Sequence, residues 1–420
     1  MSALPIALAT VGGLLLVLGL FTSVINHVSF LSEPLLALLA GVLVGPAAFG
    51  LLDLASLGNQ ETILEQAALL TLGIALMGTA LRLPLEYVSH NWRSLAVLLG
   101  LVMPLMWLSG SLLTYLILGL PFLVAVLIGA VITPTDPVVA GTIVTGDVAE
   151  EHLPEHLKHA ISAESGFNDG LAYPFVLLPI LMLTLSPDEA LSHWLVSTVL
   201  WEVGAAVVLS GLVGYGTGKF LRWAQARETT EYTSLLSVSL ALTLTVLGIG
   251  ELLGLDSVLA VFVAGIAFNG VTSRGTEESS DALERKGRVQ EAITRFFDLP
   301  IFVLLGMSLP WAGWLELGWA GPILAVMVLL LRRLPVVLAL KPLLGQMRGR
   351  GDIFFLGWFG PIGAAALYYA TFSLERLGTE EVWVVGSLII CASLLAHGVT
   401  ATPFTRLYGR RAQKQQPSSE

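Results

Sequence analysis

The sequence predicts an all-α polytopic membrane protein of about thirteen transmembrane helices, arranged as two inverted repeats of six helices. Of the 420 residues, 55% are hydrophobic and only 12% are charged, whereas about a quarter of the residues of a soluble domain carry charge. The hydrophobic residues form runs of roughly 20, the length that an α-helix needs to cross a bilayer. Proline- and glycine-rich interruptions stand at matching places in the two halves.

Thirteen apolar segments follow one another, mostly with short polar connections. The longest polar stretch, from Thr272 to Gln290, precedes the tenth segment, and we expect a solvated loop with a short amphipathic helix there. The first segment lacks the basic region of a cleaved signal peptide, so we expect it to remain as a membrane helix. The segments lie near residues 5–25, 34–55, 60–81, 93–117, 121–146, 157–184, 191–219, 231–250, 254–271, 290–311, 319–342, 352–373 and 380–405.

The basic residues indicate how these segments are oriented. With the N-terminus outside, all lysines and arginines fall inside except Arg376, which falls outside, and Arg332 and Arg333, which lie within a segment. This bias is what the positive-inside rule expects. We therefore predict an integral protein of the plasma (inner) membrane whose residues 406–420 form a short cytoplasmic tail.

Net charge and cysteine content exclude some classes of partner and chemistry. The formal net charge is −10, which argues against nucleic acid as a partner. A single cysteine, Cys391, excludes an internal disulfide. The partners that remain are the lipid bilayer and small ions.

The fifth and twelfth segments are each interrupted. The fifth contains Thr133-Pro134-Thr135-Asp136-Pro137, and the twelfth contains Gly360-Pro361-Ile362-Gly363. Proline removes an amide donor and clashes with the preceding turn, so neither helix is expected to be continuous. Interrupted helices at corresponding positions of two halves are typical of transporters whose binding site lies at the bilayer midplane.

Carboxylates stand in these apolar surroundings. Asp136 lies in the fifth-segment break, and Glu164 and Asp169 lie in the sixth segment with Ser165 and Asn168 beside them. An intramembrane charge costs about 2.5–3.5 kcal/mol on insertion scales, so its presence indicates a function. Ser165 and Asp169 are four residues apart, as are Glu164 and Asn168, which puts both pairs on adjacent stripes of one helix face.

These oxygen-bearing groups suit a hard monovalent cation, because zinc and copper prefer histidine and cysteine ligands. We predict that Asp169, Ser165 and Thr135 bind the cation, with Asp136 and Asn168 in the same ion and proton site. A desolvated carboxyl group readily holds a proton, whereas a nearby cation favours its charged form. Asp169 is therefore our candidate for a group that holds either a proton or a cation. Both ions would be substrates, and no cofactor is expected.

The motifs TPTDPVVA and AESGFNDG, in consecutive helices, resemble the cation/proton antiporter family that includes the sodium/proton exchangers. The resemblance implies exchange of H⁺ for Na⁺, with Li⁺ or K⁺ as alternatives, and a part in pH homeostasis. It also implies a homodimer in which an ion-carrying core, around residues 93–184 and 290–405, moves against a dimerisation domain, roughly residues 5–55 and 191–271.

The same resemblance assigns roles to individual residues. Asp169 would be the ion- and proton-binding aspartate, and Asn168 the asparagine typical of electroneutral members. Thr135 and Asp136 match the unwound-helix motif, and Ser165 a neighbouring ligand.

The resemblance also implies an ion pair inside the membrane. Glu164 would pair with an arginine of the eleventh helix, for which we favour Arg333 over Arg332. Ile362 departs from the pattern of many exchangers, which have an arginine there. The surrounding GWFGPIGAAALYYA resembles fungal plasma-membrane antiporters and some bacterial ones. Asn168 therefore leaves the transport stoichiometry open.

Three other interpretations were weighed. A cation channel would use a similar oxygen-lined break, but channels usually build a continuous pore from several subunits. An intramembrane hydrolase is disfavoured because Ser165 does not lie in a G-x-S-x-G turn, and we expect a transporter rather than an enzyme. His152, His156 and His159 have a spacing that could bind metal or sense pH, although interfacial residues are the simpler interpretation.

Overall fold

The computed structural model describes residues 3–27, 32–144, 147–227, 234–273, 296–345, 347 and 349–415. The expected loop and amphipathic helix between Thr272 and Gln290 therefore lie, from residue 274 onward, outside the described residues. Some of the basic residues used to orient the segments also lie outside the described residues. These are Arg274, Arg285, Lys286, Arg288, Arg295 and Arg348.

The described residues fold into helices, as the sequence predicts. In chain order these are α1 Ala3–His27, α2 Glu33–Val44, α3 Gln60–Arg82, α4 Leu85–His90, α5 Trp92–Leu118, α6 Phe122–Val131, α7 Pro137–Val144, α8 Asp147–His152, α9 Glu155–Thr184, α10 Pro187–Ala226, α11 Ser234–Leu253, α12 Ser257–Thr272, α13 Phe296–Met307, α14 Trp311–Glu316, α15 Ala320–Leu331, α16 Leu334–Ala339, α17 Arg350–Trp358, α18 Ala364–Leu377 and α19 Glu380–Gln415.

Seven of the helices formed by the described residues are long and apolar enough to cross a bilayer, and further apolar helices are shorter. Two of the shorter ones, α6 and α7, together make up most of the predicted fifth segment. The number of crossings, thirteen, stays a prediction.

Both predicted interruptions are present. Residues 132–136 separate α6 from α7, and residues 359–363 separate α17 from α18. The two non-helical stretches touch, because the amide of Asp136 donates a hydrogen bond to the carbonyl of Pro361 over 2.9 Å. The unwound backbones thus satisfy part of each other's hydrogen bonding, as backbone buried in a membrane requires.

A third interruption, which the sequence analysis did not predict, divides the eleventh segment. α15 ends at Leu331 and α16 begins at Leu334, so Arg332 and Arg333 lie between two helices. Pro335 follows at the start of α16, where it removes an amide donor and its ring clashes with the preceding turn, which favours a break or kink at this point. The interruption lets both arginine side chains reach the protein interior, where each is at most 3% exposed.

The centre of the bundle is α9. It packs against α3, α6, α7, α12 and α18. Towards α12 it presents Gly166 and Gly170, whose missing side chains leave the space that Phe262 and Leu259 fill. This close approach buries the middle of α9, with Glu164, Ser165, Asn168 and Asp169, on every side.

Gly363 offers a test of the contact between the two breaks. A Cβ atom at this position would overlap the Asp136 carboxylate. We expect Gly363→Ala to lower the melting temperature of the purified protein, since overpacking typically costs about 1–3 kcal/mol. The matched control is Gly248→Ala in α11, where a Cβ atom meets nothing within 4 Å. Equal melting temperatures of the two variants would contradict the packing described here.

Candidate ion-binding site

Asp136 caps two helices with one carboxylate. Its Oδ1 accepts a hydrogen bond from the amide of Val138 in α7 over 2.8 Å, and its Oδ2 accepts one from the amide of Ala364 in α18 over 2.6 Å. The side chain is fully buried. Helix N-termini carry a partial positive charge and unpaired amides, and a carboxylate compensates both. Asp136 therefore holds together the starts of two half-helices from opposite halves of the chain.

Arg332 makes the complementary contacts. Its Nη1 donates to the carbonyls of Ile132 and Thr133, the latter over 3.0 Å, and its Nη2 donates to the carbonyl of Gly360 over 2.6 Å. These carbonyls follow the C-terminal ends of α6 and α17, which carry partial negative charge. One guanidinium thus donates hydrogen bonds at the carbonyl ends of both interrupted helices.

Arg333 forms the ion pair with Glu164. Its Nη1 and Nη2 lie 2.5 and 2.7 Å from Glu164 Oε1 and Oε2, and its Nε donates to the Leu356 carbonyl over 2.9 Å. Both side chains are almost fully buried. A bidentate geometry of this kind satisfies the charge and the hydrogen bonding of both partners. Of the two arginines weighed from the sequence, Arg333 therefore meets Glu164 and Arg332 meets backbone.

Side chains of α9 hydrogen-bond to the non-helical stretch between α6 and α7. Asn168 Oδ1 accepts a hydrogen bond from the Thr135 amide over 3.0 Å, and Asn168 Nδ2 donates to Thr135 Oγ1 over 2.7 Å. The Ser165 hydroxyl donates to the Thr135 carbonyl over 2.5 Å. The predicted oxygen ligands Thr135 and Ser165 are thus neighbours, and Asn168 fixes the position of Thr135.

Asp169 differs from the other two carboxylates. Its side chain is fully buried, and neither carboxylate oxygen accepts a hydrogen bond from any group in the described chain. The backbone carbonyl of Asp169 accepts a hydrogen bond from the Tyr369 hydroxyl over 2.5 Å, which fixes this turn of α9 against α18.

The charges of the site therefore fall into two kinds. Glu164 is neutralised by Arg333, and Asp136 is stabilised by two helix N-termini. Asp169 has no compensating partner among the described residues. A buried carboxylate without a partner is strongly unfavourable unless it takes up a proton or a cation. The arrangement can thus hold one positive charge at Asp169, which follows Ser165 by four residues in α9.

The sequence analysis did not predict several residues that hold the site together. One of them is Arg332, which bridges the two interrupted helices. On α19, Ser393 Oγ accepts a hydrogen bond from the Ile362 amide, and His397 Nε2 lies 3.1 Å from the Trp358 carbonyl. Intramembrane Ser393 and Tyr369 carry no charge, so the sequence offered little signal for them.

The three neighbouring histidines do not converge. Each lies beside a different carboxylate, and no set of three His, Cys, Asp or Glu side chains within the described ranges could hold a metal ion. The pairs are His152 with Glu151, His156 with Asp352, and His159 with Glu155. The metal site considered from their spacing is therefore absent from the described residues, and a pH-sensing role stays a prediction.

A cavity of about 680 Å³ opens at the end of the bundle where α3 begins and α18 ends. Its lining contains four glutamates and, among the described residues that form it, no lysine or arginine. Clefts lined by one sign of charge raise the local concentration of ions of the opposite sign. The four are Glu61, Glu316, Glu380 and Glu381.

Two interrupted helices that cross at buried, oxygen-rich backbone are typical of secondary ion transporters embedded in the membrane. The comparisons agree with this class. The family model "Sodium/hydrogen exchanger, transmembrane" matches residues 7–407. The chain therefore belongs to the transmembrane sodium/hydrogen exchanger family, and it is an integral membrane protein.

Fungal relatives are similar over most of this chain. A Na⁺/H⁺ antiporter of Schizosaccharomyces pombe is 31% identical over 94% of this chain and 88% of its own length. Na⁺/H⁺ antiporter 2 of Zygosaccharomyces rouxii is 34% identical over 86% of this chain, which spans only 45% of that relative. The resemblance to the sodium/proton exchangers, with fungal antiporters among the relatives, is thereby confirmed.

The fold also matches a solved structure. The sodium proton antiporter MjNhaP1 from Methanocaldococcus jannaschii superimposes with a TM-score of 0.74 over 98% of this chain and 99% of that chain, at 18% identity. The predicted all-helical antiporter fold is thereby confirmed.

The ion pair predicts a loss of stability when one partner is neutralised. We expect Glu164→Gln to lower the melting temperature strongly, since an unpaired buried charge costs about 3–5 kcal/mol. The control is Glu381→Gln, which neutralises an exposed glutamate. An unchanged melting curve for the Glu164 variant would contradict a stabilising role for the pair.

Proposed function

We propose that this protein is a secondary active antiporter that exchanges H⁺ for Na⁺. The observation that carries the proposal is the Asp169 carboxylate, which is fully buried and accepts no hydrogen bond from the described residues. The names of the fungal relatives and of MjNhaP1, all Na⁺/H⁺ antiporters, support the same function.

The mechanism is competition for one carboxylate. Asp169 holds either a proton or a cation, because each stabilises a different form of the group. An empty, ionised Asp169 faces the cost of a charge inside the bilayer, which hinders its passage between the two faces. Each time the site passes from one face of the membrane to the other, it therefore carries either a proton or a cation. The proton flux and the cation flux are thus coupled. Thr135 and Ser165 supply further oxygens to the cation, and Asn168 and Asp136 hold the surrounding backbone.

The finer features of the proposal come from the sequence analysis. The ion-carrying core, around residues 93–184 and 290–405, moves against the dimerisation domain of a homodimer, roughly residues 5–55 and 191–271. The protein lies in the plasma (inner) membrane with its N-terminus outside and its C-terminus in the cytoplasm, and serves pH homeostasis. It uses no cofactor and catalyses no chemical reaction. Li⁺ or K⁺ are the alternative cations, and a channel is the alternative class.

Replacement of the carrier carboxylate tests the proposal directly. In proteoliposomes with a Na⁺ gradient, we expect Asp169→Asn to abolish Na⁺-driven proton movement, because an amide takes up no proton near neutral pH and carries no charge to offset the cation. Asp188→Asn, at an exposed position in α10, should leave exchange unchanged. The same vesicles with Li⁺ and K⁺ gradients give the cation preference. Ordinary exchange by the Asp169 variant would end the assignment, and Na⁺ flux without proton counterflux would favour a channel.

Competition for one group also predicts the pH dependence. As the pH on the cation side falls, protons occupy Asp169, so the apparent KM for Na⁺ should rise while the maximal rate at saturating Na⁺ changes much less. Initial rates over a range of Na⁺ concentrations at several pH values measure this. An apparent KM that does not change with pH would show that the two ions do not share a site.

A further inference from the structure

A second cavity, of about 530 Å³, opens between the N-terminal half of α17 and the C-terminal part of α19. It begins at the opposite end of α17 from the break at residues 359–363, so the proposed transport cycle does not use it. The sequence analysis predicts this end of the bundle to be cytoplasmic. The lining contains two arginines, one aspartate and several apolar side chains.

The two helices that form the cavity run in opposite directions. The Tyr408 hydroxyl donates a hydrogen bond to Asp352 Oδ1 over 2.6 Å, and the rings of Phe404 and Trp358 lie 5.8 Å apart further along both helices. The start of α17 therefore lies beside the last turns of α19. The two arginines of the lining, one at the start of α17 and one near the end of α19, are thus at the same end of the cavity.

Each wall carries an arginine four residues from an exposed apolar side chain. In α17 these are Arg350 and Phe354, and in α19 they are Arg411 and Leu407. Residues four apart lie on the same face of a helix. Phe354 is 49% exposed and Leu407 is 46% exposed, and both arginines are exposed as well. The cavity thus has a cationic end and an apolar end.

The cationic end keeps its charge because the aspartate of the lining has other partners. Besides the Tyr408 hydroxyl, Asp352 accepts a hydrogen bond from the Gly349 amide over 3.2 Å and lies 3.3 Å from His156 Nε2. Neither arginine forms an ion pair with a carboxylate in the described part of the chain. Two guanidinium groups are therefore available to an anion, and a guanidinium suits the paired oxygens of a phosphate.

We propose that this cavity binds an anionic phospholipid of the leaflet that faces the cytoplasm. The lipid phosphate lies between Arg350 and Arg411, and an acyl chain runs along Phe354 and Leu407. The exposed apolar side chains favour a lipid over a soluble anion, because a soluble anion would leave them uncovered. Basic pockets between membrane helices on the cytoplasmic side are typical sites for acidic headgroups. The inference goes beyond the antiport function and does not depend on it.

Lipid binding to the purified protein in a non-ionic detergent tests the inference. Phosphatidylglycerol is added in steps while the melting temperature is measured, with phosphatidylcholine as the zwitterionic comparison. We expect phosphatidylglycerol to raise the melting temperature until the site is saturated, because it binds the folded state, and phosphatidylcholine to raise it much less. In Arg350→Gln/Arg411→Gln the concentration for half of the effect should increase about 25-fold, since each arginine strengthens the attraction of acidic lipid about fivefold.

The matched control is Arg227→Gln/Arg410→Gln, which removes two exposed charges from the same predicted side outside the cavity lining. This variant should keep the wild-type response to phosphatidylglycerol. An equal loss in the control would show that only the overall positive charge matters, and would overturn the site. An unchanged response of Arg350→Gln/Arg411→Gln would overturn it as well. Equal effects of the two lipids on the wild type would do so without any variant.

Two further measurements identify the occupant. Glycerol 3-phosphate carries the phosphate without acyl chains, and it should not raise the melting temperature at the concentrations at which the lipid does. An equal rise would show that the site takes a soluble phosphate and that the lipid proposal is wrong. Leu407→Ser keeps both arginines and should weaken the response to phosphatidylglycerol. An unchanged response of this variant would contradict an acyl chain along this wall.

Discussion

The structure depends on the crossing of two unwound backbone stretches inside a membrane, where unpaired amides and carbonyls are costly. Asp136 meets the amide ends of α7 and α18, and Arg332 meets the carbonyl ends of α6 and α17. One carboxylate and one guanidinium thus hydrogen-bond to the ends of four half-helices. Their charges offset each other, as those of Glu164 and Arg333 do, so the crossing adds little net charge of its own.

This balance explains why Asp169 can be a carrier. In a site full of uncompensated charge, no single group would govern ion occupancy. Here the framework charges have partners, and the carboxylate of Asp169 lacks one among the described residues. Asn168 and Ser165, one and four residues before it, hold the break at Thr135. The carrier and the oxygens beside it are therefore positioned by the same turns of α9.

Features governed by proline and by charge were predictable from sequence. Both breaks follow from proline chemistry, and Asp169 and Glu164 follow from the cost of charge in hydrocarbon. The interruption between α15 and α16 was not predicted, because two adjacent arginines before Pro335 read equally well as one helix. Nor could the sequence say that Arg332 turns towards carbonyls and Arg333 towards Glu164, since this depends on which elements cross there.

The seam between α9 and α12 has a consequence for motion. On the α9 side it consists of bare backbone at Gly166 and Gly170, against Phe262 and Leu259. Phe262 and Leu259 occupy the space that side chains at these glycines would take, so the two helices interlock. Sliding of α12 along α9 has to withdraw both side chains from these notches, and a larger residue at either glycine would push the helices apart.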